Sequence, residues 1–207
     1  MTRIGVLASG RGSNFKALCE AGRRGKLGAA SITVLISDRP EAPALHIARE
    51  FGVEPLPIPA RGFPSREAHE DAVARALEER QTDLVCLAGY QRLLTARFIR
   101  RFRGRIINIH PALLPSFPGT HAQKQAIEYG VKVSGVTVHF VDEGCDTGPV
   151  ILQAAVPVEE GDTEEELAAR ILEQEHVIFS EAVRLFCAGK LAIEGRRVNI
   201  SRDKGGH

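Results

Sequence analysis

Ile4-Gly-Val-Leu-Ala-Ser-Gly-Arg-Gly-Ser-Asn-Phe15 is a short apolar run, then a glycine turn, then the start of a helical pattern. An apolar run this short, bounded by a turn, predicts a buried strand over Ile4 to Ala8. Ser9 to Asn14 forms the turn, and a helix follows over about Phe15 to Arg24. The unit then repeats along the chain. Ser31 to Ile36 reads as a strand and Ala42 to Phe51 as a helix. Ser65 to Arg80 carries Ala68, Ala72, Val73, Ala76 and Leu77 at helical spacing, and Leu84 to Leu87 is the next buried strand. Thr95 to Phe102 is helical and Arg105 to His110 strand-like. Such alternation predicts a three-layer α/β fold, a mostly parallel twisted sheet with helices on both faces.

The pattern changes after a proline-rich loop and a helix near Ala122 to Tyr129. Val133 to Val141 and Pro149 to Pro157 are two β-rich runs joined by a link that holds Gly144 and Gly148. That closeness predicts an antiparallel or mixed extension of the sheet. A long amphipathic helix spans about Thr163 to Cys187, with Thr163 and Glu166 spaced as a capping box. No linker, repeat or low-complexity tract interrupts the chain, so one domain over residues 1–207 is expected.

Composition narrows the function classes. The 207 residues are 43% hydrophobic and 26% charged, as in ordinary globular domains. Lys and Arg total 27 against 26 Asp and Glu, a net charge of +1. That balance argues against a long nucleic-acid partner, which needs a basic face, but leaves room for a small-anion pocket. No apolar stretch approaches the ~20 residues of a membrane span. Cys19, Cys86, Cys145 and Cys187 form no CxxC pair, which predicts reduced thiols in a cytoplasmic protein.

Gly10-Arg-Gly12-Ser-Asn14 lies where such sheets bind phosphates, between the first strand and the first helix. The plainer alternative is a tight turn capped by Ser13 or Asn14; the position favours the phosphate. A dinucleotide fits less well, because Phe15 replaces the third glycine and no acid lies about 20 residues on. A single phosphate, as in a mononucleotide or sugar phosphate, suits the turn.

Ile106-Ile-Asn-Ile-His-Pro111 carries a second signal. Side chains alternate along a strand, so Asn108 and His110 share one face while Ile107 and Ile109 take the other. Pro111 ends the pairing and leaves His110 at the carboxyl edge of the sheet, where ligands bind in this fold class. Alone, such a pair is ordinarily structural. The third element is Asp142-Glu-Gly-Cys-Asp146-Thr-Gly-Pro149. A metal site built from these acids with His110, His121 or His139 is disfavoured, because neither a calcium-loop alternation nor an HxxxH pair is present. An Asp146 that positions an imidazole is the simpler chemistry.

Taken in order, these pieces resemble the phosphoribosylglycinamide formyltransferase family. The resemblance runs over nearly the whole chain: GRGSN at the first strand, Ser65-Arg-Glu67, Leu87-Ala-Gly89 with Arg92, Ile107 to Pro115, then His139-Phe-Val141 through Gln153. It implies formyl transfer from 10-formyltetrahydrofolate, as co-substrate, to the amino group of glycinamide ribonucleotide in purine biosynthesis. It implies no bound cofactor and no metal. Gly12, Ser13 and Asn14 match the family's phosphate site, and Glu175 a position that binds the ribose hydroxyls. Asn108, His110 and Asp146 match its catalytic trio. Arg66, Arg92, Leu93, Leu94, Asn108 and Val141 match folate contacts. Gln91 and Thr147 stand where some relatives carry an apolar residue and a glycine. The resemblance divides the domain into a mononucleotide-binding half to about residue 105 and a folate and catalytic half from about 106.

Two related enzymes are rivals. A methionyl-tRNA formyltransferase has a further tRNA-binding domain, whereas here only Arg196, Arg197, Arg202 and Lys204 are late basic residues. A formyltetrahydrofolate hydrolase has a regulatory domain before the first strand, which here starts at Ile4. A non-catalytic nucleotide-binding regulator would use the same turn without needing Asn108, His110 and Asp146. The expected partners are the two small-molecule substrates, with no nucleic acid and no membrane, and the expected state is a monomer or weak homodimer.

Overall fold

The computed structural model describes residues 1–201, so Arg202 and Lys204 lie outside the described residues. β1 (Thr2–Leu7), α1 (Ser13–Arg23), β2 (Ala30–Ser37), α2 (Pro43–Phe51) and β3 (Glu54–Pro57) open the chain. α3 (Arg66–Glu79), β4 (Leu84–Leu87), α4 (Ala96–Arg101) and β5 (Ile106–His110) follow. α5 (Ala122–Tyr129), β6 (Val133–Phe140), β7 (Val150–Pro157), α6 (Glu164–Cys187), β8 (Leu191–Glu194) and β9 (Arg197–Ile200) complete it.

The strands form one sheet in the order β3-β2-β1-β4-β5-β6-β7-β9-β8. β1 to β5 pair in parallel, whereas β6 runs antiparallel to both β5 and β7. The expected parallel sheet with an antiparallel extension is therefore the observed one. β3 and the β8–β9 hairpin are additions to the sequence reading. Pro55 and Pro57 mask β3 in the sequence, yet an edge strand tolerates residues that cannot donate to a ladder. The hairpin strands are four residues each, too short to show a period.

Two apolar layers clamp the sheet. On one face Phe15, Leu18, Leu45, Ile171 and Phe179 pack with Ile107 and Ile109. On the other, Val73, Leu77, Phe98 and Phe102 pack with Val34, Val85 and Ile106. Each such side chain contributes about 1.5–3 kcal/mol by leaving water. β5 thus alternates as expected: Ile107 and Ile109 enter the first layer, and Asn108 and His110 take the other face at its carboxyl end. The α6 capping box is formed in full, with Thr163 accepting from Glu166 N–H and Glu166 from Thr163 N–H. It anchors the start of a helix that packs on α1, α5, β6 and β7.

Candidate active site

Two cavities open side by side at the carboxyl edge of the sheet, and Gly89 and Gln91 line both. The first, of about 410 Å³, is bordered by residues 10–14, Gln123, Leu172 and Glu175. Here α1 begins at Ser13 with Gly12 as its N-cap, in the left-handed region at φ 78°. A Cβ on Gly12 would lie 2.7 Å from Ala44 Cβ and 2.9 Å from Ala44 Cα, so α2 seats against the bare backbone. No side chain among the described residues caps α1. The capped-turn alternative is thereby removed, and the first-turn N–H groups, with the positive end of the helix dipole, stay open to an anion.

Asn14 turns instead to the cavity floor, where its Nδ2 donates to Glu175 Oε2 at 2.6 Å and its Oδ1 is buried without a partner. Glu175 occupies the buried stripe Leu167–Ile171–Glu175–Phe179 of α6. Burial pushes its carboxyl above the ordinary range, against the opposing pull of Asn14 and of the Arg11 charge. A buried acid and an unpartnered amide oxygen at one point form a polar recess for hydroxyl groups.

The second cavity, of about 370 Å³, has Arg66 and residues 90–95 on one side, with Asn108, His110, His139 and residues 141–146 on the other. His110 Nε2 lies 2.8 Å from the Phe117 carbonyl, and its Nδ1 lies 3.5 Å from Asp146 Oδ2. A carbonyl only accepts, so Nε2 carries the proton and Nδ1 is the nitrogen beside Asp146. Asp146 accepts from Gly119 N–H at 2.8 Å and adopts φ 54°, a left-handed conformation that aspartate tolerates. The chain leaves the loop at Gly148, where any Cβ would fall 1.7 Å from the Phe140 carbonyl oxygen. That close return holds the Asp146 loop against β6.

The antiparallel register sets Asn108 opposite His139. His139 Nδ1 donates to the Phe140 carbonyl at 2.9 Å, so its Nε2 presents a lone pair. Asn108 Nδ2 lies 3.2 Å from that nitrogen and donates to it, which orients the amide. Burial holds the His139 pKa below its ordinary value, and Asp146 Oδ1 lies 3.7 Å from its Nε2. A neutral imidazole therefore supports Asn108 from beneath.

The sequence-derived residues separate cleanly. Gly12, Ser13, Asn14 and Glu175 meet in the first cavity, and Arg66, Arg92, Leu93, Leu94, Asn108, His110, Val141 and Asp146 in the second. Sequence reading missed the place of His139 beside Asn108 and the Phe117 carbonyl on His110, because both depend on pairing and loop path. Gln91 accepts from Arg39 at 2.6 Å, and Thr147 donates to Asp142 at 2.6 Å, so both brace loops around the cavities. A larger groove of about 890 Å³ between α1 and α6, bordered by Arg24, His176 and Val177, contains none of the sequence-derived site residues.

Residues 2–183 match the family model described as Formyl transferase. The chain belongs to the formyl transferase family. Among formyl transferase relatives, phosphoribosylglycinamide formyltransferase of Escherichia coli (strain K12) is 40% identical over 91% of this chain and 88% of its own length. The trifunctional purine biosynthetic protein adenosine-3 of Drosophila melanogaster is 46% identical over 92% of this chain, which spans only 14% of that protein's length. The crystal structure of glycinamide ribonucleotide transformylase 1 from Symbiobacterium toebii superposes with a TM-score of 0.95 at 54% identity, covering 97% of this chain and 94% of that one. The formyl transferase fold expected from the sequence is thus the fold observed.

Proposed function

We propose that this chain transfers a formyl group from 10-formyltetrahydrofolate to the amino group of N1-(5-phospho-D-ribosyl)glycinamide, a step of de novo purine biosynthesis. The observation that carries the reading is the pair of adjoining cavities, one with an uncapped helix N-terminus and one with Asn108, His110 and Asp146. Gly12, Ser13 and Asn14 hold the phosphate, and Glu175 the ribose hydroxyls. Arg66, Arg92, Leu93, Leu94, Asn108 and Val141 border the folate. Both cavities use residues on either side of position 105, so the two halves act as one domain. A monomer or weak homodimer suffices, since one chain supplies both. No described helix is long and apolar enough to cross a membrane, and all four cysteines are free, which accords with a cytoplasmic setting.

The chemistry follows from the polarity of the cluster. The substrate amine forms a C–N bond to the formyl carbon, whose carbonyl electrons move to oxygen and give an oxyanion. Asn108, with one N–H spent on His139, has a second to donate. His110, protonated at Nδ1, shares that proton between Asp146 and the oxyanion. The electrons then return, the bond from carbon to the folate nitrogen breaks, and water carries the amine's proton to that nitrogen. No step asks for a metal or a bound cofactor.

The test is to supply both substrates to the purified protein and follow the appearance of deformylated tetrahydrofolate. Release that depends on the ribonucleotide is expected. Equal release without it would identify a hydrolase, and nucleotide binding without turnover a regulator.

Glu175→Gln should separate recognition from stability. Its folded-state pKa lies above the ordinary 4.5, so ionising it costs stability above that pH, and acid relieves the cost. The variant is therefore expected to melt at a higher temperature than the parent at pH 7, with the difference vanishing near pH 4. Loss of a charged acceptor should raise the ribonucleotide KM about ten- to a hundredfold. Thermal scans across pH and steady-state kinetics check both halves.

A further inference from the structure

Glu70 is an acid in the wrong place for a surface helix. α3 buries His69, Glu70, Val73, Ala74 and Leu77, so Glu70 lies on the apolar face and is 5% exposed. A carboxylate is expensive to bury unless donors surround it. Here they do: Arg66 Nε donates at 3.1 Å, Thr95 N–H donates to both oxygens at 3.1 Å, and the Thr95 hydroxyl donates to Oε2. The same hydroxyl accepts from Phe98 N–H and caps α4. Arg66 in turn donates through Nη2 to the Leu93 carbonyl.

These bonds converge on one wall. The segment between β4 and α4 has no regular structure, yet Arg66, Leu93, Leu94 and Thr95 line the second cavity. Glu70 itself does not line it. Leu94 packs on the apolar layer beneath, whereas Leu93 is 64% exposed at the lip and has little packing to hold it. The wall is thus fixed at its β4 end by the sheet and at its α4 end by the buried carboxylate.

We propose that Glu70 is a positioning residue for the folate substrate, holding Arg66 and the Leu93 to Thr95 segment in the shape that receives it. This rests on the formyl transfer reading given above. Removing the charge weakens the hold on Arg66, which keeps its bond to the Leu93 carbonyl, and leaves the segment less firmly tied, so the folate meets a wall that must be ordered on binding. The ribonucleotide cavity is reached by none of these groups.

Glu70→Gln keeps the size of the side chain but sets an N–H against either Arg66 or Thr95. It should raise the KM for 10-formyltetrahydrofolate about tenfold or more, while the ribonucleotide KM stays within about twofold and kcat within about threefold. Thr95→Val removes the hydroxyl's bond to Glu70 and its cap on α4 but keeps the Thr95 N–H bonds to the carboxylate, and should move the folate KM the same way by less; it decides the matter if Glu70→Gln does not fold. A folate KM equal to the parent's in the folded variant, or equal rises in both KM values with a lowered melting temperature, would overturn the proposal and leave Glu70 merely structural. Absence of formyl transfer by the parent protein would instead sink the functional reading, independently of Glu70.

Discussion

His110→Ala is expected to lower kcat about a thousandfold and Asp146→Asn about a hundredfold, with the double variant little worse than His110→Ala alone. The geometry explains the non-additivity. His110 spends its Nε2 proton on the Phe117 carbonyl, so only Nδ1 is left to face the reacting oxygen. Nδ1 has Asp146 Oδ2 at 3.5 Å, close enough for the carboxylate to stabilise an imidazolium. Asparagine retains an oxygen for Gly119 N–H, which keeps the loop in place while the charge is lost. Ligand KM values should therefore change little. The imidazolium that forms beside the oxyanion loses its support, so the loss falls on kcat. Without His110, Asp146 faces only the neutral His139 ring and has no imidazolium to support, so its loss costs little more. Kinetics on both singles and the double decide it. Additive losses would mean that Asp146 acts through the loop or the substrate amine.

How far this cluster was legible in the sequence depends on the range of the interaction. Strand alternation alone placed Asn108 and His110 on one face, because that period is local. The glycine turn was equally local, although its uncapped state was not, since Asn14 could have capped α1 and instead reaches Glu175, far along the chain. His139 was visible only as a residue of a strand. Its place beside Asn108 depends on the β5–β6 register, which no short window reports.

Two acids show a signal that was present and passed over. Glu175 stands four residues from Ile171 and four from Phe179, at the spacing of a buried helical stripe. In the sequence its role rests on the family resemblance alone. Glu70 interrupts the apolar face of α3 in the same manner, whereas Ala72, counted with that face, is only half-buried. An ionisable residue in an apolar stripe must find partners or carry a large burial cost. In both helices the partners lie at a cavity, so a break in the amphipathic pattern points to a cavity one side chain away.

Asn108→Asp is expected to cost more than Asn108→Ala, about a thousandfold or more in kcat against a loss of about a hundredfold or more for alanine. Alanine removes one donor to the oxyanion. Aspartate removes the donor and sets negative charge where the transition state develops its own. His139 makes the difference observable. In the parent its Nδ1 proton is committed to the Phe140 carbonyl, its Nε2 lone pair accepts from Asn108, and burial holds its pKa below 6.5. A depressed histidine pKa means that folding favours the neutral ring, so parent stability should fall as pH drops below about 6.5. An acceptor at position 108 faces that lone pair with another, and a proton taken up at Nε2 relieves the clash. Asp146 Oδ1, at 3.7 Å, adds to the attraction. The His139 pKa should therefore rise in Asn108→Asp and the acid-sensitivity of stability should shrink, whereas Asn108→Ala leaves the ring neutral. Nitrogen chemical shifts of His139 followed across pH 5 to 8 distinguish the two ring states. A His139 that stays neutral in the aspartate variant, together with near-parent turnover, would mean that the Asn108 amide neither orients on His139 nor donates to the oxyanion.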